Sequence, residues 1–441
     1  MKSRLFMGVG EEKITPKIGC NLCGYAPDVL SESLNDDLTA TAYYFKDGAT
    51  EAVMVSTTVC IISEELAQRI REEIEKSTGV LRSAILIHAT HTHSGPITST
   101  LDGFGEADTE YVEKTFVPNI IKAVKKAKAT AEPVKMAVAQ GDSLVGINRR
   151  ELNEDNTVSL GQNPWGPFDP KMTVISFKNG EGVVKASIVH YGCHGTAAGR
   201  NHEISRDWPG FMVDALCEYG GGVTAFFNGP EGDTGPRLMN GKTTGAKMSI
   251  GKTGDINRAI ELGHYAAHDA VRIFKSAHGY HDATLEVSRK TVKIPVEARL
   301  PLEYAKEQYE EYKGYTVNFK GGKAAYFKNI IKSYEDGYTD KDFREVEQII
   351  IRIGEVAFVA FAFELFSEIG LRIQKYSPIP YTLSLSNVNG TDSYFATESE
   401  ICRGGYEITM FKQKNLQPYA DNADGALIKE TIEHLRSLKG E

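Results

Sequence analysis

The sequence predicts a mixed α/β fold of α+β character, in which mixed sheets are covered by helices. Three observations lead there. Strand-like apolar runs outnumber what a doubly wound parallel sheet needs. Helical stretches interrupt them irregularly rather than after every strand. The 441 residues are 41% hydrophobic and 25% charged, the balance of an ordinary globular chain able to bury a large core.

Taken in order, strands are expected at 5–9, 38–45 and 52–56. A helix follows over 63–76, opened by Ser63-Glu64-Glu65, then a buried strand over 84–88 in the apolar run Ala84-Ile85-Leu86-Ile87. A second helix spans about 107–129, and strands recur at 135–140, 172–177 and 185–190. A helix begins near Asp207-Trp208-Pro209-Gly210, with Asp207 as its cap and Pro209 in its first turn. A strand over 223–227 leads into a glycine-rich loop from Asn228 to Arg237. Residues 252–275 read as helix and 282–298 as a long alternating strand. Over 301–342 the composition shifts to Lys, Glu, Tyr and Gly with helical spacing, which reads as an inserted helical subdomain or lid, with a solvated helical hairpin as the plain alternative. A hairpin about Gly354-Glu355 joins strands at 346–353 and 356–363. A strand at 381–385 and a last helix from Asp424 complete one catalytic domain over 1–441, without internal repeats.

A net charge of −9 and the lack of a Lys/Arg run with interleaved aromatics argue against nucleic acid or an anionic membrane as partner. No apolar run approaches the ~20 residues of a membrane span. The first ten residues lack the apolar core of an export signal, so the expectation is a cytoplasmic protein without stable membrane association. The six cysteines are then expected to be reduced, and Cys20-Asn21-Leu22-Cys23 reads as buried small residues rather than half of a metal site. A small-molecule substrate is the expected partner; a homo-oligomer is left open.

The chemistry concentrates at strand ends. Thr90-His91-Thr92-His93-Ser94-Gly95-Pro96 follows the apolar run. In an extended chain His91 and His93 would point to one face with Cα atoms about 6.5–7 Å apart, since a strand rises ~3.3 Å per residue. Such a pair shares one metal ion or divides metal binding from proton transfer; two ordinary turn histidines are the plain alternative. His194 stands in a small-residue turn after the apolar run ending at His190-Tyr191. Glu364 lies in Phe361-Ala362-Phe363-Glu364-Leu365-Phe366, where a buried carboxylate is costly unless paired or metal-bound. Tyr406 follows Gly404-Gly405, which permit close backbone approach. Two imidazoles, a carboxylate and an open position for water make a catalytic zinc set. The i,i+4 pair His264/His268 lacks an intervening Glu and reads as surface or core.

Several segments, in order, resemble the catalytic domain of the neutral, non-lysosomal ceramidase family. They are Gly8-Val9-Gly10 through Ile14-Thr15-Pro16, Ala89 to Pro96, Asn148-Arg149, Cys193-His194, Ser205 to Gly210, Asn228-Gly229 with Gly232-Asp233 and Pro236, Glu364, and Tyr406-Glu407. The resemblance implies zinc (Zn2+) held by His91, His194, Glu364 and Tyr406. His93 would shuttle the proton to the leaving amine, Arg149 would hold a polar or anionic part of the substrate, and a zinc-activated water would be the nucleophile. Asp233 is expected to act in the site or to orient a ligand.

The family loop carries a serine in a Gly-Asp-Val-Ser-Pro pattern, whereas this chain reads Gly232-Asp233-Thr234-Gly235-Pro236. The serine position is Gly235 and the nearest hydroxyl is Thr234, the candidate replacement. The family's C-terminal immunoglobulin-like domain is not expected in this chain. The expected activity is zinc-dependent hydrolysis of a non-peptide amide in a small soluble substrate. A zinc esterase or lactonase and a non-catalytic metal-containing homologue are the alternatives.

Overall fold

The computed structural model describes residues 5–237 and 254–438. Two sheets lie face to face between outer helices. The larger has eight strands: β1 (Phe6–Lys13), β2 (Thr39–Asp47), β3 (Thr50–Thr57), β4 (Ile85–Ala89), β5 (Glu132–Asp142), β6 (Lys171–Asn179), β7 (Val184–Tyr191) and β8 (Val223–Asn228), in spatial order β8-β7-β6-β5-β1-β2-β3-β4. Its outermost pairs, β3 with β4 and β7 with β8, are parallel, and the other neighbours pair antiparallel. A parallel pair needs a crossover. The helix Glu64–Thr78 leads from β3 to β4, and the helix Asp207–Leu216 lies between β7 and β8. The smaller sheet orders β9 (Leu285–Pro295), β10 (Phe343–Ile353), β11 (Val356–Ala360) and β12 (Tyr381–Leu385) sequentially, with β11 parallel to β12.

Side-chain alternation divides each strand between two cores. Along β4, Ile85, Ile87 and Ala89 face the helices Glu64–Thr78 and Val117–Ala129, while Leu86 joins Phe358 and Leu383 between the sheets. Covering on both faces explains the unbroken apolar run at 84–87. The smaller sheet's other face packs on the helices Ser367–Tyr376 and Ala423–Ser437.

The two ends of the large sheet are tied together. Tyr43 on β2 donates to the Ser187 carbonyl on β7 at 2.6 Å, and Ser56 on β3 donates to the Phe226 carbonyl on β8 at 2.6 Å. The Asn228 N–H, at the end of β8, donates to His88 Nε2 on β4 at 2.9 Å, and the Asn228 side chain donates to the Thr90 carbonyl at 3.2 Å. The segments leaving β4, β7 and β8 therefore converge.

Several expectations are corrected here. The helix at 207 starts at Asp207 itself, with Arg206 before it, so Asp207 is not its cap. Asp207 takes φ +56, and its carboxylate reaches back to accept from Ala197 and Ala198 at 2.9 Å each. The strand expected over 356–363 ends at Ala360, because Phe361 to Phe363 turn to present Glu364. Of the helix expected at 252–275, the first two residues lie outside the described ones, and the observed helix is Ile256–Ser276. Residues 301–342 contain two helices, Leu302–Tyr312 and Asn318–Glu335.

Candidate metal centre

His91 leaves the strand in the left-handed conformation, φ +66, instead of continuing it. The extended geometry expected from spacing is therefore not what brings the two rings together. Val59 and Cys60 hold the turn: the His91 N–H donates to the Val59 carbonyl at 3.0 Å and its Nδ1 to the Cys60 carbonyl at 2.9 Å. The turn aims His91 Nε2 and His93 Nε2 at each other, 3.2 Å apart. His194 is set by the loop after β8, its Nδ1 donating to the Glu231 carbonyl at 2.8 Å. Trp208 Nε1 donates to the His194 carbonyl at 2.8 Å.

A carbonyl accepts only, so the Nδ1 of His91 and of His194 carries the hydrogen and each Nε2 presents a lone pair. Those lone pairs face one carboxylate. Glu364 Oε2 lies 3.4 Å from His91 Nε2 and 3.1 Å from His194 Nε2, all three side chains being buried. His194 Nε2 and Glu364 Oε2 have no hydrogen-bond partner. Three buried acceptors pointed at one place repel unless a cation lies between them. Tetrahedral zinc ligands at about 2.1 Å stand roughly 3.4 Å from one another, so the spacing fits a two-histidine, one-glutamate zinc set. One ligand atom from each of the three lies within 4.8 Å of the others.

The electrostatics agree. Burial opposes ionisation of Glu364, but His91, His194 and Arg149 outweigh it and hold the carboxyl at about 2. Burial, aided by the Arg149 charge, lowers His194 to about 3, and burial with the neighbouring imidazoles keeps His93 well below its ordinary value. His93 and His194 are thus neutral near pH 7, the form that ligates metal.

The other site residues divide. Arg149 lies close to the cluster, its Nε on Glu407 at 2.9 Å and its Nη2 donating to Tyr394 Oη at 3.1 Å. Glu407 also receives Arg150 at 2.9 Å, which locks the arginine pair. Asp233 is fully engaged elsewhere: it accepts from the Ser367 N–H at 2.7 Å, the Ser367 hydroxyl at 3.0 Å and Asn148 at 3.2 Å. It ties the loop to the helix Ser367–Tyr376 and is a positioning residue. Burial raises its pKa to about 7. Thr234, the candidate replacement for the missing serine, is buried, and its Oγ1 has no hydrogen-bond partner. It pairs with Asn148 in the short strand Thr234–Pro236, and its methyl group faces Gly146, 3.2 Å from where a Cβ there would stand. A Cβ on Gly235 would instead meet the Arg149 side chain at 3.5–3.6 Å, so strand alternation turns position 235, not 234, toward the arginine.

Tyr394 escaped the sequence reading. It stands opposite Glu364 in a two-residue parallel bridge, and its ring stacks on His194 with centroids 6.4 Å apart and planes 12° apart. Tyr406, expected as the fourth ligand, packs beside Tyr394 with rings 5.4 Å apart, and burial together with the Glu364 charge raises its pKa. The ring stacked on His194 is Tyr394, and both phenols feel the Glu364 charge. No spacing rule announces Tyr394, because only pairing with the 364 segment brings it in. His264 and His268 are exposed on their helix, away from this cluster.

Face-to-face sheets between helices carry, at the converging strand ends, a buried two-histidine, one-carboxylate cluster that could hold a metal ion. The chain belongs to the neutral/alkaline non-lysosomal ceramidase family, whose N-terminal model matches residues 5–260, more than half of it. Glu364, Tyr394 and Tyr406 lie beyond the matched stretch. Among relatives, it is 28% identical over 278 residues to neutral ceramidase A of Dictyostelium discoideum, covering 58% of this chain and 39% of that protein. It is 26% identical over 267 residues to neutral ceramidase of Mycobacterium tuberculosis, covering 53% and 40%. The match thus spans about two-fifths of these relatives' length. The crystal structure of neutral ceramidase from Pseudomonas aeruginosa superposes with a TM-score of 0.75 at 19% identity, covering 100% of this chain and 75% of that one, a likeness of fold.

Proposed function

We propose that this chain is a zinc-dependent hydrolase that cleaves an amide bond of an N-acylated substrate. The observation that carries the reading is the buried, unpartnered approach of His194 Nε2 to Glu364 Oε2 at 3.1 Å, with His91 Nε2 completing the set. His91, His194 and Glu364 would hold the metal, with the phenols of Tyr394 and Tyr406 as the candidates for a further oxygen. When bound, zinc supplies Lewis acidity and an activated water. His93 moves a proton at Nε2, which faces the cluster. Arg149, fixed by Glu407 and Tyr394, places positive charge where a carbonyl oxygen becomes negative.

The substrate reading changes with the relatives. Their names are those of enzymes acting on ceramide, a lipid amide, which favours a substrate with a hydrocarbon part over the freely soluble small amide first expected. Among the described residues, no helix is long and apolar enough to cross a membrane. One observation favours a second reading. Gly235 places no hydroxyl beside Arg149 at the position where the family loop carries its serine. Esters and lactones release an alkoxide more readily than amides release an amine, so ester or lactone cleavage asks less of this site. The test is hydrolysis of matched N-acyl and O-acyl compounds by zinc-loaded and chelator-treated protein. Zinc-dependent amide cleavage supports the first reading, zinc-dependent ester cleavage alone the second, and no zinc-dependent turnover of either opposes both.

A further inference from the structure

His93 differs from the other two imidazoles of the cluster in how it is held. His91 and His194 each hand an Nδ1 hydrogen to a carbonyl, at 2.9 and 2.8 Å. His93 has no such partner: its Nε2 faces His91 Nε2 at 3.2 Å, and its Nδ1 is buried without a hydrogen bond. Since His91 Nε2 presents a lone pair, the His93 hydrogen sits on Nε2 and its Nδ1 is bare. A hydrogen bond to the second nitrogen is the usual way an imidazole in a metal site is oriented. The orientation of His93 therefore rests on packing.

The packing comes from the segment 22–25. Gly24 takes φ +106, in the left-handed region, and lies against the ring: a Cβ there would stand 2.3 Å from Nδ1, 2.5 Å from Cγ and 2.7 Å from Cε1 of His93. Backbone conformation and space both require glycine at this position. Tyr25 meets the same imidazole edge-on, with centroids 4.9 Å apart and planes at 69°. The segment is tied to the residues that follow His93. The Cys23 N–H donates to the Gly95 carbonyl at 2.9 Å, and Leu22 bridges Pro96. Gly24 and His93 thus belong to one braced unit, although they are far apart in sequence.

We infer that Gly24 and Tyr25 are positioning residues for His93: their contact sets its ring beside the His91, His194 and Glu364 set, as the carbonyls do for His91 and His194. The inference rests on the hydrolase reading only for the proton that His93 would move, and the contact itself is testable without turnover.

Gly24→Ala is made in the full chain, alone and together with His93→Ala. The single variant should lower the thermal midpoint of the parent, and at least half of that loss should vanish when the imidazole is absent, because the added methyl group meets that ring. A single variant that fails to fold beside a double variant that folds gives the same answer. Equal loss in the two backgrounds, or failure of both to fold, would overturn the inference. Orientation is read with diethyl pyrocarbonate, which acylates a bare imidazole nitrogen, by counting the modified His93 peptide in a mass spectrometer. An added methyl group can only cover the ring further unless the ring moves. Acylation of His93 in folded Gly24→Ala should therefore be faster by about threefold or more, and in Tyr25→Phe, which keeps the edge contact, within about twofold of the parent. An unchanged or slower rate in Gly24→Ala, or a rate in Tyr25→Phe equal to that of Gly24→Ala, would overturn the inference. Turnover is scored separately. If the parent hydrolyses its substrate with zinc, Gly24→Ala should lower kcat by about 10- to 100-fold with KM within about threefold, and should have no further effect in His93→Ala. An unchanged kcat would overturn the inference, whereas a parent without turnover would defeat the hydrolase reading and leave the positioning result to the first two measurements.

Discussion

Tyr394 stands directly across a parallel bridge from Glu364, and its hydroxyl accepts from Arg149 at 3.1 Å. One phenol thus connects the carboxylate of the candidate metal centre to the arginine beside it. Burial and the Glu364 charge both raise its pKa, so without a metal it is a neutral phenol. Tyr394→Phe should weaken zinc binding by at least tenfold, and Tyr406→Phe by less than threefold, in competition titrations with a chromophoric chelator. The opposite ranking would make Tyr406 the nearer oxygen.

The Trp208 indole holds the His194 carbonyl at 2.8 Å, and Asp207 accepts the Trp208 N–H at 2.7 Å. Partners that orient a ligand typically matter 10- to 100-fold in metal affinity. Trp208→Phe keeps most of the buried ring while deleting this donor. Zinc affinity is expected to fall about tenfold with the circular-dichroism spectrum preserved.

Gly235 has no positive φ, and a Cβ there meets Arg149 only at ordinary contact distance. Gly235→Ser is therefore expected to fold with a stability change within about 1 kcal/mol, the central range for a point substitution that forces no clash. It should raise the ratio of amide to ester turnover, by adding a hydroxyl near the arginine. Thr234→Val, which keeps the methyl group facing Gly146, tests the other hydroxyl: an unchanged ratio would exclude Thr234 as the serine's replacement, and a fall in the ratio would support it. Matched N-acyl and O-acyl substrates measure both.

The strand runs announce the β-rich core, and His91, His93 and His194 stand out in the sequence because polar imidazoles follow apolar strands there. How those strand ends converge is not legible. The meeting depends on hydrogen bonds between β2 and β7 and between β3 and β8, which join residues 144 and 170 positions apart. The left-handed turn at His91 has no glycine to betray it and is imposed by the Val59 and Cys60 carbonyls. Tyr394 is invisible for a related reason, because a two-residue strand carries no periodicity. Thr234 is adjacent in sequence to the position it would replace, and neighbouring residues of a strand point to opposite faces, which sequence distance alone does not reveal.

Away from the site, His434 is buried between Gln348 at 2.9 Å and Ser288 at 2.9 Å. Burial, helped by Lys290, lowers its pKa from 6.5 to about 4. A depressed imidazole contributes stability that is fully present above pH 6.5 and is lost as pH falls toward 4. The loss has a ceiling of about 1.4 kcal/mol per pH unit for one proton. Urea denaturation at about pH 7 and about pH 4.5, which bracket most of that interval, should show a smaller drop in His434→Gln than in the parent chain. An equal drop would assign the acid sensitivity to other groups.

The central claim is that His91, His194 and Glu364 jointly hold one zinc ion. Its most direct test is elemental analysis of protein purified without chelator, beside Glu364→Gln, which preserves side-chain size while removing the charge that pairs with the cation. About one zinc per chain in the parent, and less than a tenth of that in the folded variant, is the predicted result. Equal zinc in both proteins, or none in a folded parent supplied with zinc, would contradict it.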